Sequence, residues 1–126
     1  MPQLRPRIAV VDDEESVRKA LQRLLRSAGM DVETFPSGAE FLDAIRTRKP
    51  DCLVLDLHMP VVNGFEVQAR LAQLGTQLPV VVITGHDTPE AYARALASGA
   101  AAYLLKPIDD RVLLDAIAGA MSKPDC

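Results

Sequence analysis

Five short strand-like runs, each followed by a stretch with helical periodicity, constrain this chain more than any other feature. They are Ile8-Ala9-Val10-Val11, Asp31-Val32-Glu33-Thr34-Phe35, Cys52-Leu53-Val54-Leu55, Pro79-Val80-Val81-Val82-Ile83-Thr84 and Ala102-Tyr103-Leu104-Leu105. Four are apolar nearly throughout, as in strands covered on both faces. The second alternates polar and apolar residues, as a half-exposed edge strand does. Strict alternation of strand and helix argues for an α/β chain with a parallel sheet and helices on both faces. Right-handed crossovers leave only a few doubly wound strand orders.

The intervening stretches carry their own punctuation. The first helix places Val17, Ala20, Leu21, Leu24, Leu25 and Ala28 on one face, and Gly29 closes it. Ser37 opens the second with Glu40 as a capping box, turning Phe41, Leu42 and Ile45 inward before Pro50. After Asn63-Gly64, the third carries Phe65, Val67, Leu71 and Leu74. Thr88-Pro89 is an N-cap followed by proline at the first helical position. The helix it starts is alanine-rich, with Tyr92, Ala95 and Leu96 as a thin apolar face, and Gly99 ends it. Asp109 caps the last helix, whose inner face is Val112, Leu113, Ala116, Ile117 and Ala120. Residues 121–126 read as a frayed tail.

The chain has 126 residues, 48% apolar and 25% charged, which suits one domain, 1–126 with a core of about 7–120. A net charge of −3 gives no footing for direct nucleic-acid contact. No apolar run approaches the roughly 20 residues of a membrane span. Residues 1–7 lack the apolar core of a signal peptide. Cys52 and Cys126 offer neither metal spacing nor a disulfide framework, and Cys52 reads as a small core residue. A reducing cytoplasm fits these features.

Chemistry gathers where the strands end. Asp12 and Asp13 follow the first, Asp56 the third and Lys106 the fifth, while Thr84 ends the fourth. In a parallel sheet these ends share one edge, where ligands bind at the topological switch point. Three carboxylates crowded together hold protons unless a cation intervenes. Hard oxygen ligands suit Mg²⁺. With a lysine ammonium and a short hydroxyl added, the set matches phosphoryl transfer to a carboxylate nucleophile, Asp56. Singly, each residue has a plain structural reading. The acidic pair offsets a helix dipole, Asp56 opens a turn, Lys106-Pro107 is a solvated turn, and Thr84 serves strand propensity. Those readings do not account for their joint placement at separate strand ends.

Val10-Val11-Asp12-Asp13-Glu14, Leu55-Asp56-Leu57-His58-Met59-Pro60, Gly64, Ile83-Thr84-Gly85, Tyr103 and Lys106-Pro107 together resemble the receiver domains of two-component response regulators. Within that family the segment from Ile83-Thr84-Gly85-His86 to Lys106-Pro107 is most similar to receivers of the nitrogen-fixation regulator type. The resemblance implies a flavodoxin-like fold with five helices and strand order 2-1-3-4-5. It implies that Asp56 is the phosphoacceptor, and that Asp12, Asp13, Asp56 and the His58 backbone carbonyl bind Mg²⁺. It implies that Thr84 and Lys106 contact the phosphoryl group and that Tyr103 is an aromatic switch. It also implies a regulatory phosphoacceptor served by a cytoplasmic sensor histidine kinase, with a DNA-binding effector domain for transcription regulation outside these residues. The residues two past the phosphoacceptor and two past the threonine, His58 and His86, would flank the water that hydrolyses the acyl phosphate. One of them is expected to set the phosphate lifetime.

Three other readings compete with this one. A haloacid-dehalogenase-type phosphatase also uses a strand-end aspartate, but its second acid would fall at His58. A flavodoxin-like cofactor binder would need a Gly, Ser and Thr-rich first loop, whereas Asp12-Asp13-Glu14-Glu15 repels phosphate. The third is an interaction module that is never phosphorylated. The expected output surface is the fourth helix, fifth strand and fifth helix, where Ala91, Tyr92, Ala95, Ala102 and Ala116 would accept a homodimer partner.

Overall fold

The computed structural model describes residues 5–122. Its elements alternate as β1 (Arg7–Val11), α1 (Glu15–Ser27), β2 (Asp31–Phe35), α2 (Gly38–Ala44), β3 (Cys52–Asp56), α3 (Gly64–Gln73), β4 (Val80–Thr84), α4 (Pro89–Ala97), β5 (Ala102–Leu105) and α5 (Asp110–Ser122). The strands form one parallel sheet in the order β2-β1-β3-β4-β5. This is the flavodoxin-like, doubly wound order, and β2 is indeed an edge strand.

Side chains alternate across the sheet and sort the core into two layers. Ile8, Val10, Cys52, Val54, Val81 and Ile83 meet Leu21 and Leu25 of α1 and Leu113 and Ile117 of α5. Ala9, Val11, Leu53, Leu55, Val80 and Val82 meet Phe41 of α2, Val67 and Leu71 of α3, and Ala91 and Ala95 of α4. Cys52 is fully buried, and burial pushes its thiol up to about 12, so it is a core residue and not a nucleophile.

The helix ends follow the sequence with some corrections. Gly29 and Gly99 close α1 and α4 at φ +88 and +99. Thr88 accepts the Ala91 N–H at 3.0 Å, and Asp109 accepts that of Val112 at 3.1 Å. Ser37 accepts from Glu40 N–H at 3.2 Å as one half of a capping box, whereas the complete box, both bonds present, is that of Asn63 and Glu66 at α3. Leu74, Tyr92, Leu96 and Val112 were expected inward and are exposed. Ala20 and Ala28 are exposed as well. In α1, α3, α4 and α5 a narrower stripe than the sequence suggested meets the sheet, and in α4 it is Ala91 and Ala95 alone. Those two alanines therefore face the core and not a partner. Met121 and Ser122 belong to α5, while residues 123–126, including Cys126, lie outside the described residues.

The segment joining β3 to α3 is a feature that periodicity could not reveal. The Val62 N–H donates to Pro60 O at 2.8 Å across Val61, which sits at φ +68 with its side chain in solvent. A β-branched residue there is strained. The tight turn folds the chain back so that Gly64 N–H reaches Leu57 O at 3.0 Å. A Cβ at Gly64 would lie 2.6 Å from the Asp56 carbonyl oxygen, so only glycine lets α3 start this close to the site.

Candidate functional site

The sheet's alternation sorts the chemistry by face. Asp12, Asp56 and Lys106 continue the phase of Val10, Val54 and Leu104, toward α1 and α5. Thr84 continues the phase of Val82, toward α4, and Tyr103 pairs in register with Val82. Both groups meet at the carboxyl edge of the sheet, at the switch point between β1 and β3.

Asp12 and Asp56 are almost completely buried, 0% and 2% exposed, and Asp13 stands beside them in solvent. One carboxylate oxygen from each of Asp12, Asp13 and Asp56 lies within 4.8 Å of the others. Lys106 Nζ sits 2.9 Å from Asp12 Oδ2 and 3.6 Å from Asp56 Oδ1. It also donates to Glu14 Oε1 at 2.9 Å, a partner the sequence reading did not single out. Burial would lower the Lys106 ammonium's pKa, but its contacts with Asp12 and Glu14 and the charge of Asp56 hold it above its ordinary value.

Asp56 shows the strain of the cluster. Burial, then the negative charge of Asp12, pushes its carboxyl up to about 7, against the pull of Lys106 and of the His58 N–H. That N–H lies 3.4 Å from Asp56 Oδ1. Asp12 Oδ1 accepts the Glu14 N–H at 2.9 Å. Its Oδ2 has the Lys106 charge close by but no donor aligned for a hydrogen bond. A buried acceptor left open inside three convergent carboxylates fits a hard cation. One lysine does not neutralise three carboxylates, whereas the lysine and a divalent ion together would.

Thr84 is turned to its own loop. Its hydroxyl donates to His86 O at 3.2 Å, and His86 N–H donates back to Thr84 Oγ1 at 3.0 Å. His58 and His86 are exposed on adjacent loops. Their rings meet edge to face at 5.0 Å, and His58 Nε2 lies 3.2 Å from His86 O. Tyr103 is half-buried, donates to Asp87 Oδ1 at 3.1 Å and packs edge-on against Tyr92 at 5.1 Å. The sequence-predicted residues thus form an acidic pocket with its lysine, and a second group tied to residues 85–88.

Comparison with known proteins agrees with this geometry. Residues 8–118 match the family described as response regulator receiver domain. The response regulator protein TodT of Pseudomonas putida is 38% identical over 114 residues, covering 90% of this chain and 50% of TodT. The DNA-binding transcriptional regulator NtrC of Klebsiella pneumoniae is 41% identical over 100 residues, 79% of this chain and 21% of NtrC. The crystal structure of FixJ-N superimposes with a TM-score of 0.89 at 33% identity, covering 98% of this chain and 99% of that one. The chain spans about half the length or less of the curated relatives it matches.

Proposed function

This chain belongs to the response regulator receiver domains, and we propose that Asp56 is the carboxylate that takes its phosphoryl group. The observation that carries this reading is the buried Asp56 carboxyl, held between Asp12, Asp13 and the Lys106 ammonium at the open edge of the sheet. An Asp56 oxygen attacks phosphorus as the bond to the donor imidazole nitrogen breaks. That nitrogen keeps the electron pair and takes up a proton. Lys106 holds a transferring oxygen by its charge, and the Thr84 hydroxyl is the neighbouring donor for another. Asp12, Asp13, Asp56 and the His58 backbone carbonyl are the proposed Mg²⁺ ligands. Bound Mg²⁺ would neutralise the charge that gathers on the phosphoryl oxygens. The rings of His58 and His86 stand at the rim, where one of them orients or excludes the hydrolytic water.

The donor is a sensor histidine kinase in the cytoplasm. Beside Lys106 an apolar groove lined by Val17, Leu21, Leu24, Pro107 and Ile108 offers a seat for the helix that carries the donor histidine. No helix among the described residues is long and apolar enough to cross a membrane. We read residues 1–126 as a single receiver unit whose core is about 7–120, a reading supported by the family match over residues 8–118. In a longer regulator, a DNA-binding effector domain would follow, as the name of NtrC suggests for that relative.

Output runs through α4, β5 and α5, where Tyr92, Leu96, Leu105 and Val112 are exposed. Phosphorylation of Asp56 favours a homodimer or another partner through this face by about 1–3 kcal/mol. The phosphatase reading is weaker, because the residue two past Asp56 is His58, whose ring nitrogen faces His86 O.

Acetyl phosphate with Mg²⁺ provides the test, read by intact mass. One phosphate should add to the parent, and none to Asp56→Asn or in excess chelator. Modification that persists in Asp56→Asn removes Asp56 from the role.

A further inference from the structure

Residues 85–88 link the two groups of site residues through three consecutive contacts. Thr84 Oγ1 is bonded to His86 on both sides, as donor to its carbonyl and acceptor from its N–H. Asp87, the next residue, holds the Tyr103 hydroxyl at 3.1 Å. The Tyr103 ring is flanked by Tyr92 of α4 at an interplanar angle of 90°. Among the described residues, Asp87 is the one side chain hydrogen-bonded to that hydroxyl.

Building on the reading in which Thr84 and Tyr103 form the switch, we infer that Asp87 is a latch. It positions Tyr103 in its half-exposed place and is released from Thr84 through the backbone of His86. A hydroxyl has one proton to donate. When Thr84 gives it to a phosphoryl oxygen on Asp56, the bond to His86 O is lost. The loop then loses a tie next to Asp87, and the acceptor moves away from the phenol. The ring gains by turning inward, because it is a large apolar surface only half removed from water. A phenol donating to a carboxylate is a charge-assisted hydrogen bond, strong enough at a half-exposed site to bias such a balance about three- to tenfold.

This differs from a route in which Tyr103 only fills space that Thr84 vacates. In that route the phenol oxygen is immaterial, and Tyr103→Phe behaves as the parent. With a latch, Tyr103→Phe and Asp87→Ala remove the same bond and have the same effect.

The experiment follows backbone amide resonances of Leu96, Ala97 and Leu105, without ligand and with beryllofluoride plus Mg²⁺. The free and beryllofluoride-bound parent define the two ends of a line, and each variant's position along it gives its population. Without beryllofluoride, Asp87→Ala and Tyr103→Phe should each shift the ratio toward the bound end about three- to tenfold. The double variant should go no further, since both changes remove one bond. Asp87→Asn keeps an acceptor oxygen without the charge and should fall between the parent and Asp87→Ala. The latch is overturned if Tyr103→Phe matches the parent, if the two changes add, or if Asp87→Asn shifts as far as Asp87→Ala, which would make charge the cause. A parent whose amides do not respond to beryllofluoride would instead overturn the underlying switch reading, and the latch with it.

Discussion

One edge of one sheet carries two groups of side chains that are held very differently. On the α1–α5 side, Asp12 and Asp56 are buried and Lys106 bridges them with contacts of 2.9 and 3.6 Å. On the α4 side, Thr84 is buried but bonded twice to His86, and Tyr103 is bonded once to Asp87, both residues of an exposed loop. They lie under a helix whose buried residues are Ala91 and Ala95 alone. The helices differ in the same sense, since α5 anchors itself with Leu113, Ile117 and Ala120. Chemistry is pre-organised where opposed charges and packing fix it, and response is left to the part with the fewest apolar contacts.

The widest separation between the two sides should appear on truncating their helices. Ile117→Ala in α5 should cost about 2–5 kcal/mol in urea unfolding, whereas Leu96→Ala in α4 should stay within about 0.5 kcal/mol. Equal costs would remove the distinction. Gly64→Ala comes next. Its Cβ would press on the Asp56 carbonyl and on Leu57 Cα at 2.6 and 2.7 Å, both backbone atoms. A loss of about 1–3 kcal/mol is expected, together with slower phosphorylation by acetyl phosphate.

The charge cluster gives a pH signature with a definite sign. A carboxyl raised from 3.8 to about 7 on folding binds more protons in the folded than in the unfolded chain between those values. Its ionisation therefore destabilises the metal-free fold as pH rises from about 4 through about 7. That rise corresponds to about 4 kcal/mol at its limit, and relaxation and water penetration around the cluster reduce it to about 1–2 kcal/mol. In chelator, Asp56→Asn should be the more stable chain at pH 8 by that amount, and the advantage should vanish near pH 4. Added Mg²⁺ should stabilise the parent and not the variant. A difference independent of pH would mean that neither burial nor the neighbouring Asp12 charge raises Asp56 as placed.

The smallest effect belongs to the α4 cap. Thr88→Ala should cost about 1 kcal/mol and speed hydrogen exchange in the first turn of α4. The rate of Asp56 phosphorylation should be unchanged, because the cap touches only the softer side.

Much of this division could be read from the chain. Apolar runs and caps located all ten elements, and the acids and lysine at strand ends identified the pocket, because strand ends are fixed by register. Which face each residue takes follows from the same alternation. What periodicity could not give were contacts between side chains far apart in sequence, such as Lys106 with Glu14 or Tyr103 with Asp87. The turn at Val61 was equally hidden, since a valine carries no signal for a positive φ. The inner face of α4 was misread because alanine suits a helix whichever way it points.

The most direct test of the two-sided account is hydrogen exchange with beryllofluoride and Mg²⁺, compared between the parent and Thr84→Ala. In the parent, protection should change around Asp56 and also across α4 and β5. In Thr84→Ala the change should stop at the loops that carry Asp12, Asp56 and Lys106. Changes confined to Asp56 in the parent, or reaching α4 undiminished in Thr84→Ala, would contradict it.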